Sequence, residues 1–394
     1  MFISFSKGNL QLDGKVKPAV TGGRARGQTP GLGWITIGPS CTAPPGAPSR
    51  IDRPGRRVAV EAIESREALG ASGATWRELE AASVPLNPFL TWAWQQAWWE
   101  VFGAAYQPRL LVVREGELIL GLVPLCRSDR DPGTLQLAGG LTLSDRLGFL
   151  HRPGREDEVA RAALEWVAAS SPAGTELDLH FLPEGSAALA ALRRQSVAQG
   201  WQLHQEPEEV CPGLELPGDF AAYLSGSLNK KDRHELRRKF RRLDQERPGW
   251  RMVGPQELGL DQALEAFLRL LAASGRHKEE FLVPEVRSFF KLMAARLEER
   301  GWLRLQLLVA GDDQLAGIFG FTVGGTWHLY NSGYDPVFQA LSPGLLCVAE
   351  GIRGAITEGC TRADLLRGSE NYKYHLGAHD EQLLHLRLAP VARL

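Results

Sequence analysis

One pattern occurs twice in this chain, and it constrains the fold more than any other feature. Residues 109–125 read as an apolar run, a charged turn around Gly116 and a second apolar run, the signature of a β-hairpin. Residues 305–321 repeat it around Gly311, Asp312 and Asp313, and the second run of each hairpin carries a glycine near its start, Gly121 and Gly317. Each hairpin follows an expected helix, 89–102 in the first half and 285–300 in the second. Repetition over such a distance implies two similar domains, because solenoid periods are about 20–50 residues. Periodicity is interrupted between 207 and 219 by Pro207, Pro212, Gly213, Pro217 and Gly218. The expected domains are therefore 58–218 and 219–394, each long enough for its own core.

Residues 1–57 are a different kind of sequence. They hold 10 Gly and 7 Pro, and 9 Lys or Arg against 2 Asp or Glu. A segment so rich in Gly and Pro buries too little apolar surface to order itself. It reads as a disordered leader, an over-extended start or a basic tail for an acidic partner. The overall charge of −1 hides a leader at +7 and a remainder at −8. That balance argues against a DNA-binding protein or one held on a membrane by charge. No run of 18 apolar residues is present, so no membrane span is expected. The five cysteines are scattered and form no C-x-x-C pair, which fits a reducing compartment, and the expected location is cytoplasmic.

Within the first half, Pro88 sits at a first-turn position ahead of a helix whose Trp94, Trp98 and Val101 share one face, a core stripe. In the second half, Ser342 and Pro343 are expected to begin a helix with Leu345, Val348, Ile352 and Ile356 on its apolar side, ending at Gly359. A helix N-terminus behind a strand presents free N–H groups to an anion. A short strand at 362–366 then leads into the polar loop 367–377, and such loops often carry function.

Several runs together resemble one family. They are Asn87-Pro88-Phe89-Leu90-Thr91-Trp92-Ala93-Trp94, Leu122-Val123-Pro124-Leu125, Leu143-Ser144-Asp145, Leu228-Asn229-Lys230-Lys231-Asp232-Arg233, Asn331-Ser332-Gly333-Tyr334-Asp335-Pro336, Leu341-Ser342-Pro343-Gly344, and Leu366-Arg367-Gly368-Ser369-Glu370-Asn371-Tyr372-Lys373. Their order and spacing resemble the CelD-like acetyltransferase domain family of the GNAT superfamily, which is similar to the FemABX peptidyltransferases. The resemblance spans about 58–390. It implies an α/β (α+β) fold of two tandem GNAT-like domains, each a mixed, mostly antiparallel sheet flanked by helices. It also implies a transferase moving an acyl group, acetyl above all, from a thioester such as acetyl-CoA or another acyl-CoA to an amine or hydroxyl of a sugar or cell-envelope polysaccharide precursor. Two alternatives stand beside it: aminoacyl transfer from tRNA, as in FemABX enzymes, and a non-catalytic subunit of a polysaccharide-producing complex.

Acyl transfer needs a base for the nucleophile, donors for the oxyanion and an acid for the leaving thiolate. The resemblance places the donor pyrophosphate at Gln339, Leu341, Ser342, Gly344 and Leu345, although Gly344 is the one glycine there. Glu370 is the preferred base and Asp335 the second; the other reading of Glu370 is a carboxylate paired with Arg367 or Lys373. Tyr372 stands as thiolate acid or core tyrosine. Lys373 matches a lysine of the FemABX proteins, or is a solvated surface lysine. Arg367 contacts an anionic donor or pairs with Asp364. Residues 229–247 hold nine basic and four acidic side chains, with Leu236, Phe240 and Leu243 on one face. This basic amphipathic helix covers the domain junction or docks an acyl carrier protein or tRNA. Nucleophile-elbow, dinucleotide and P-loop motifs are absent from the sequence. His375 and His379 flank Gly377, which argues against a metal-binding helix, so no metal is expected.

Overall fold

The computed structural model describes residues 57–390 apart from Ala173, and the leader expected at 1–57 lies outside that range except for Arg57. The first half runs β1 (Val58–Ile63), α1 (Arg66–Ala71), α2 (Gly73–Ala82), α3 (Trp92–Phe102), β2 (Tyr106–Glu115), β3 (Leu118–Ser128), β4 (Asp131–Leu137), β5 (Leu150–His151), α4 (Glu156–Ser170), β6 (Glu176–Pro183), α5 (Ala187–Ala198) and β7 (Trp201–Glu215). The second half begins with α6 (Phe220–Gly226), α7 (Lys230–Glu246), β8 (Arg251–Val253), α8 (Pro255–Leu258), α9 (Leu260–Ala273), α10 (Arg276–Phe281) and α11 (Pro284–Glu299). It continues with β9 (Leu303–Ala310), β10 (Asp313–Val323), β11 (Thr326–Tyr334), α12 (Pro343–Thr357), β12 (Arg362–Asp364), α13 (Asn371–His375) and β13 (His379–Pro390).

The repeated hairpins are β2–β3 and β9–β10. Both turn through a glycine with left-handed backbone, Gly116 at φ 60° and Gly311 at φ 58°, a conformation glycine adopts without a Cβ penalty. All strands join one sheet in the order β1-β2-β3-β4-β6-β13-β7-β12-β11-β10-β9-β8, with β5 beside β3. The β4–β6 and β11–β12 pairs are parallel and the other neighbours antiparallel. Read inward from either edge, the order is the same, except that the last strand of each half lies beside the other half's strands. β13 pairs with β6, β7 pairs with β12, and the two meet antiparallel at the centre. The equivalence extends to sequence: Thr175-Glu176-Leu177-Asp178-Leu179 enters β6 as Thr361-Arg362-Ala363-Asp364-Leu365 enters β12.

The segment 206–215, where the sequence pattern breaks, is thus part of the longest strand. Its prolines are accommodated at special places. Pro207 adjoins a bulge, where Leu383 faces Glu209 and Leu384 faces Pro207, leaving Glu208 as the extra residue. Pro212 offers its carbonyl to the N–H of Leu365 at 2.8 Å.

The halves also share an apolar core. Thr91 caps α3, and the helix buries Trp94 and Trp98 as the 3.6-residue period expects. Trp94 meets Phe289 of α11 and Tyr330 of β11, both at 5.2 Å between ring centroids in edge-to-face geometry. One buried cluster runs from Phe89 and Trp94 through Phe267, Phe290 and Phe319. Trp94→Ala is expected to cost about 3–5 kcal/mol in denaturant unfolding. Fluorescence and circular dichroism should report one coincident transition in both proteins; two separable transitions would contradict a shared core.

Candidate active site

The site forms where β11 and β12 part. β11 carries an extra residue, Tyr330, between Leu329 (facing Gly320) and Asn331 (facing Phe319). β12 stays paired to β11 over three residues, 326–328 against 362–364. Past that point β11 is no longer paired to β12, and the opening is this split in the sheet, followed in the chain by loop 365–370 and α13.

Lys373 builds this loop. Its side chain is fully buried, and Nζ donates to the carbonyls of Leu366, Arg367 and Gly368 at 2.8, 2.8 and 2.9 Å. These bonds hold Leu366 and Gly368 in left-handed backbone at φ 56° and 108°. The Glu370 carboxylate lies 2.9 Å from the same ammonium and is equally buried. With the three protons already on carbonyls, that contact is Coulombic, and neither Glu370 oxygen receives a hydrogen bond among the described residues. Gly368 is required here because a Cβ on it would stand 2.5 Å from a Glu370 oxygen. Of the two pairings considered for Glu370, the structure shows Lys373.

Tyr372 lies beside Ser332 of β11. Burial, then the charge of Glu370, pushes its hydroxyl well above the usual tyrosine range, so it stays protonated. The Ser332 carbonyl also accepts from Lys278 Nζ at 2.6 Å, which lays α10 over the opening. Beside it, partial burial and then Lys278 lower His277 from the ordinary histidine value, and Glu370 acts on it electrostatically. Glu209 of β7 is raised by burial and by Glu370, against the opposing pull of Arg367 and Lys373. Two further ionisable groups, His277 and Glu209, thus feel the charge of Glu370. Sequence reasoning missed both: His277 lies outside any motif, and Glu209 fell in the segment read as a boundary.

Arg367 does not pair with Asp364. Its Nε donates to Asp145 at 2.6 Å, and its guanidinium stacks 3.9 Å above the Phe181 ring. Asp364 instead takes Arg146 at 2.7 Å, and Arg146 also reaches Glu381 at 2.8 Å. Burial raises the Asp364 carboxyl, but Arg146 and then His328 reverse this and hold it well below the usual range. The adjacent residues Asp145 and Arg146 therefore bind the opposite charges of the second half. Tyr330 completes the seam by donating to the Leu143 carbonyl at 2.9 Å.

A second group of expected residues gathers at the start of α12. Ser342 occupies the N-cap position but in left-handed backbone, φ 55°, and its hydroxyl makes no cap bond. It accepts from Lys239 of α7 at 2.6 Å, while Arg242 donates to the Ala340 carbonyl at 3.0 Å. Helix geometry leaves the first-turn N–H groups of Gly344 and Leu345 without intrahelical acceptors. Gln339 is exposed, Leu341 is buried in the core, and Leu345 is half-buried against it. Asp335 accepts from Val337 N at 2.9 Å and so caps the turn Pro336–Leu341. The two groups meet at the end of β11, where Ser332 contacts Tyr372 and the Tyr334 ring lies against Gly344. Residues 332 and 334 project from the same face of the strand.

Residues 230–374 match the acetyltransferase (GNAT) domain family. The match runs from α7 to α13, within the second half of the chain. No curated protein matches the sequence. The fold is similar to that of FemX, with a TM-score of 0.58 at 12% identity over 83% of this chain and 96% of that one. A Bacteroides thetaiotaomicron protein of unknown function gives 0.54 at 10% identity, covering 84% and 100%. The C-terminal domain of a putative lysylphosphatidylglycerol synthetase from Agrobacterium fabrum gives 0.53 at 7%, covering 81% and 91%. The expected fold class, a mixed and mostly antiparallel sheet flanked by helices, is the one observed. Among the described residues no helix is long and apolar enough to cross a membrane.

The Asp145–Arg367 pair is buried on both sides. Asp145→Ala should cost about 3–5 kcal/mol because it strands a buried guanidinium. Arg367→Met added to it should recover part of that loss. A double variant as unstable as the sum of the two single ones would remove the pair as the pin of the seam.

Proposed function

We propose that this protein transfers an acyl group from a thioester donor, acyl-CoA or acetyl-CoA, to an amine or hydroxyl on a sugar or cell-envelope polysaccharide precursor, as a member of the CelD-like group. One observation carries the reading: the end of β11 joins a helix N-terminus flanked by two cations to a pair made of an unbonded carboxylate and a protonated phenol. The donor's phosphates sit at 339–345, where the Gly344 and Leu345 N–H groups and Lys239 favour an anion. Glu370 takes the proton of the attacking amine or hydroxyl. Tyr372 is the proton source for the departing thiolate: its raised pKa keeps the phenol protonated beforehand and also makes it the weaker acid, so the transfer depends on the charge that builds on the sulfur. Lys373 acts by shaping the loop, Arg367 by fixing that loop to the first half, and Asp335 by shaping the turn ahead of α12. The proposed domain bounds remain 58–218 and 219–394.

A second reading rests on α7, where Lys230, Lys231, Arg237 and Arg241 are exposed on one helix. That surface fits an acyl carrier protein or tRNA as donor.

Binding separates the two. Acetyl-CoA or a longer acyl-CoA should raise the thermal midpoint, and Gly344→Asp should abolish the rise. Lys239→Ala should weaken the donor by about tenfold in a salt-dependent way. A rise with tRNA or carrier protein alone, lost when the four α7 cations are neutralised, would favour the second reading.

Turnover tests the base. Glu370→Gln should lower kcat by about 10²–10⁴-fold with donor affinity kept. The same variant leaves Lys373 without its counter-charge, so its folded fraction is measured alongside. Unchanged turnover in a folded variant would remove Glu370 and turn attention to His277 and Glu209.

A further inference from the structure

Away from that opening, three side chains from two neighbouring strands converge on one point: Asp178 and His180 of β6 and His385 of β13. Their candidate ligand atoms lie within 4.8 Å of one another. His180 Nε2 is 3.2 Å and His385 Nε2 is 2.5 Å from the two oxygens of Asp178. The other ring nitrogen of each histidine has a carboxylate of its own. His180 Nδ1 meets Glu208 at 2.5 Å, and His385 Nδ1 meets Glu206 at 3.2 Å. The rings stack in parallel, 3.9 Å apart.

We propose that Asp178, His180 and His385 form a site for a divalent transition-metal ion of the zinc class, held by two imidazole Nε2 atoms and one carboxylate oxygen. Two features suit an ion. Metal-bound histidines almost always hand their second nitrogen to a carboxylate, carbonyl or water, which fixes the tautomer and aims the free lone pair at the metal. Here both histidines do so, and both aim Nε2 at the same carboxylate. Charge is the second feature. Asp178, Glu206 and Glu208 surround the two rings beside one guanidinium, Arg387, whose Nε is 3.3 Å from Asp178, so a divalent ion that displaced the Nε2 protons would find its two charges balanced. An ion with bonds of about 2.0–2.1 Å keeps its ligands roughly 3.3 Å apart, which small rotations of these side chains reach. Three protein ligands leave a coordination position for water or an added molecule.

The backbone is shaped around this point. His180 and Phe181 of β6 together stand opposite the single His385, between the pairs Leu179–Leu386 and Leu182–Leu384, and the φ of Phe181 is 55°. Glu208 is the extra residue on the other flank. Bulges of this kind re-aim side chains. The Phe181 N–H also donates to Glu208 at 2.9 Å. In the equivalent place of the second half, Asp364 is met by Arg146 instead of two imidazoles, so the charge there is already answered.

The test uses the full chain, free of any tag, stripped with a chelator and titrated with Zn²⁺ by calorimetry and with Co²⁺ by visible absorption. One equivalent per chain is expected, with a cobalt spectrum lacking thiolate charge-transfer bands. Asp178→Asn and His385→Gln should each weaken Zn²⁺ by at least about 100-fold, and Glu208→Gln by about 10–100-fold. Should either ligand variant fail to fold, Glu206→Gln and Glu208→Gln carry the comparison, since both keep the ligands. No saturable uptake by the unaltered chain, thiolate bands, or Zn²⁺ affinity unchanged in the folded variants would overturn the site. None of these results bears on donor binding at 339–345.

Discussion

The pairing of β7 with β13 is the constraint on which the rest of the molecule depends. Each is the last strand of its half, and each lies against the other half's sheet, β13 beside β6 and β7 beside β12. Neither half completes its own sheet. Backbone hydrogen bonds left open by one are closed by the other, and buried backbone groups do not go unpaired without cost. The two halves are therefore one cooperative unit by topology, before any side chain is counted.

That exchange also sets the site. The chain that leaves β12 must pass over β7 to reach α13 and β13. On the way Leu365 and Gly368 donate to the Pro212 and Val210 carbonyls of β7. The loop carrying Glu370 and Tyr372 is thereby stitched to a strand of the first half, and Asp145 fixes Arg367 from the same side. A loop held this way derives its geometry from both halves, although the family match covers residues 230–374 alone. Rigid placement of a carboxylate and a phenol at the end of a strand is what proton transfer requires.

Much of this was legible in the sequence, because it depends on local rules. The two hairpins, the α3 aromatic stripe, the start of α12 and the basic amphipathic α7 follow from periodicity, turn glycines and capping residues. The polar run 366–373 stands out as a loop after a strand, and Leu143-Ser144-Asp145 stands out by resemblance, though its role as the pin of the seam is not visible there. What escaped depends on pairing between distant segments. Pro207 and Pro212 look like breakers until a bulge and a neighbouring loop are seen to absorb them. The setting of His277, lowered by burial and then by Lys278, arises from α10 being tied to β11, which no local pattern encodes. Asp178 and His180 alternate along a strand, so a shared face was readable, but the partnership with His385 needs the strand exchange.

The central claim is that donor binding draws on the α12 start and the 366–374 loop together. Amide hydrogen exchange with and without a saturating acyl-CoA tests it most directly. The account predicts slowed exchange at 339–346 and at 366–374 in the same experiment. Slowing confined to the first half, or at 339–346 with 366–374 unaffected, would contradict it.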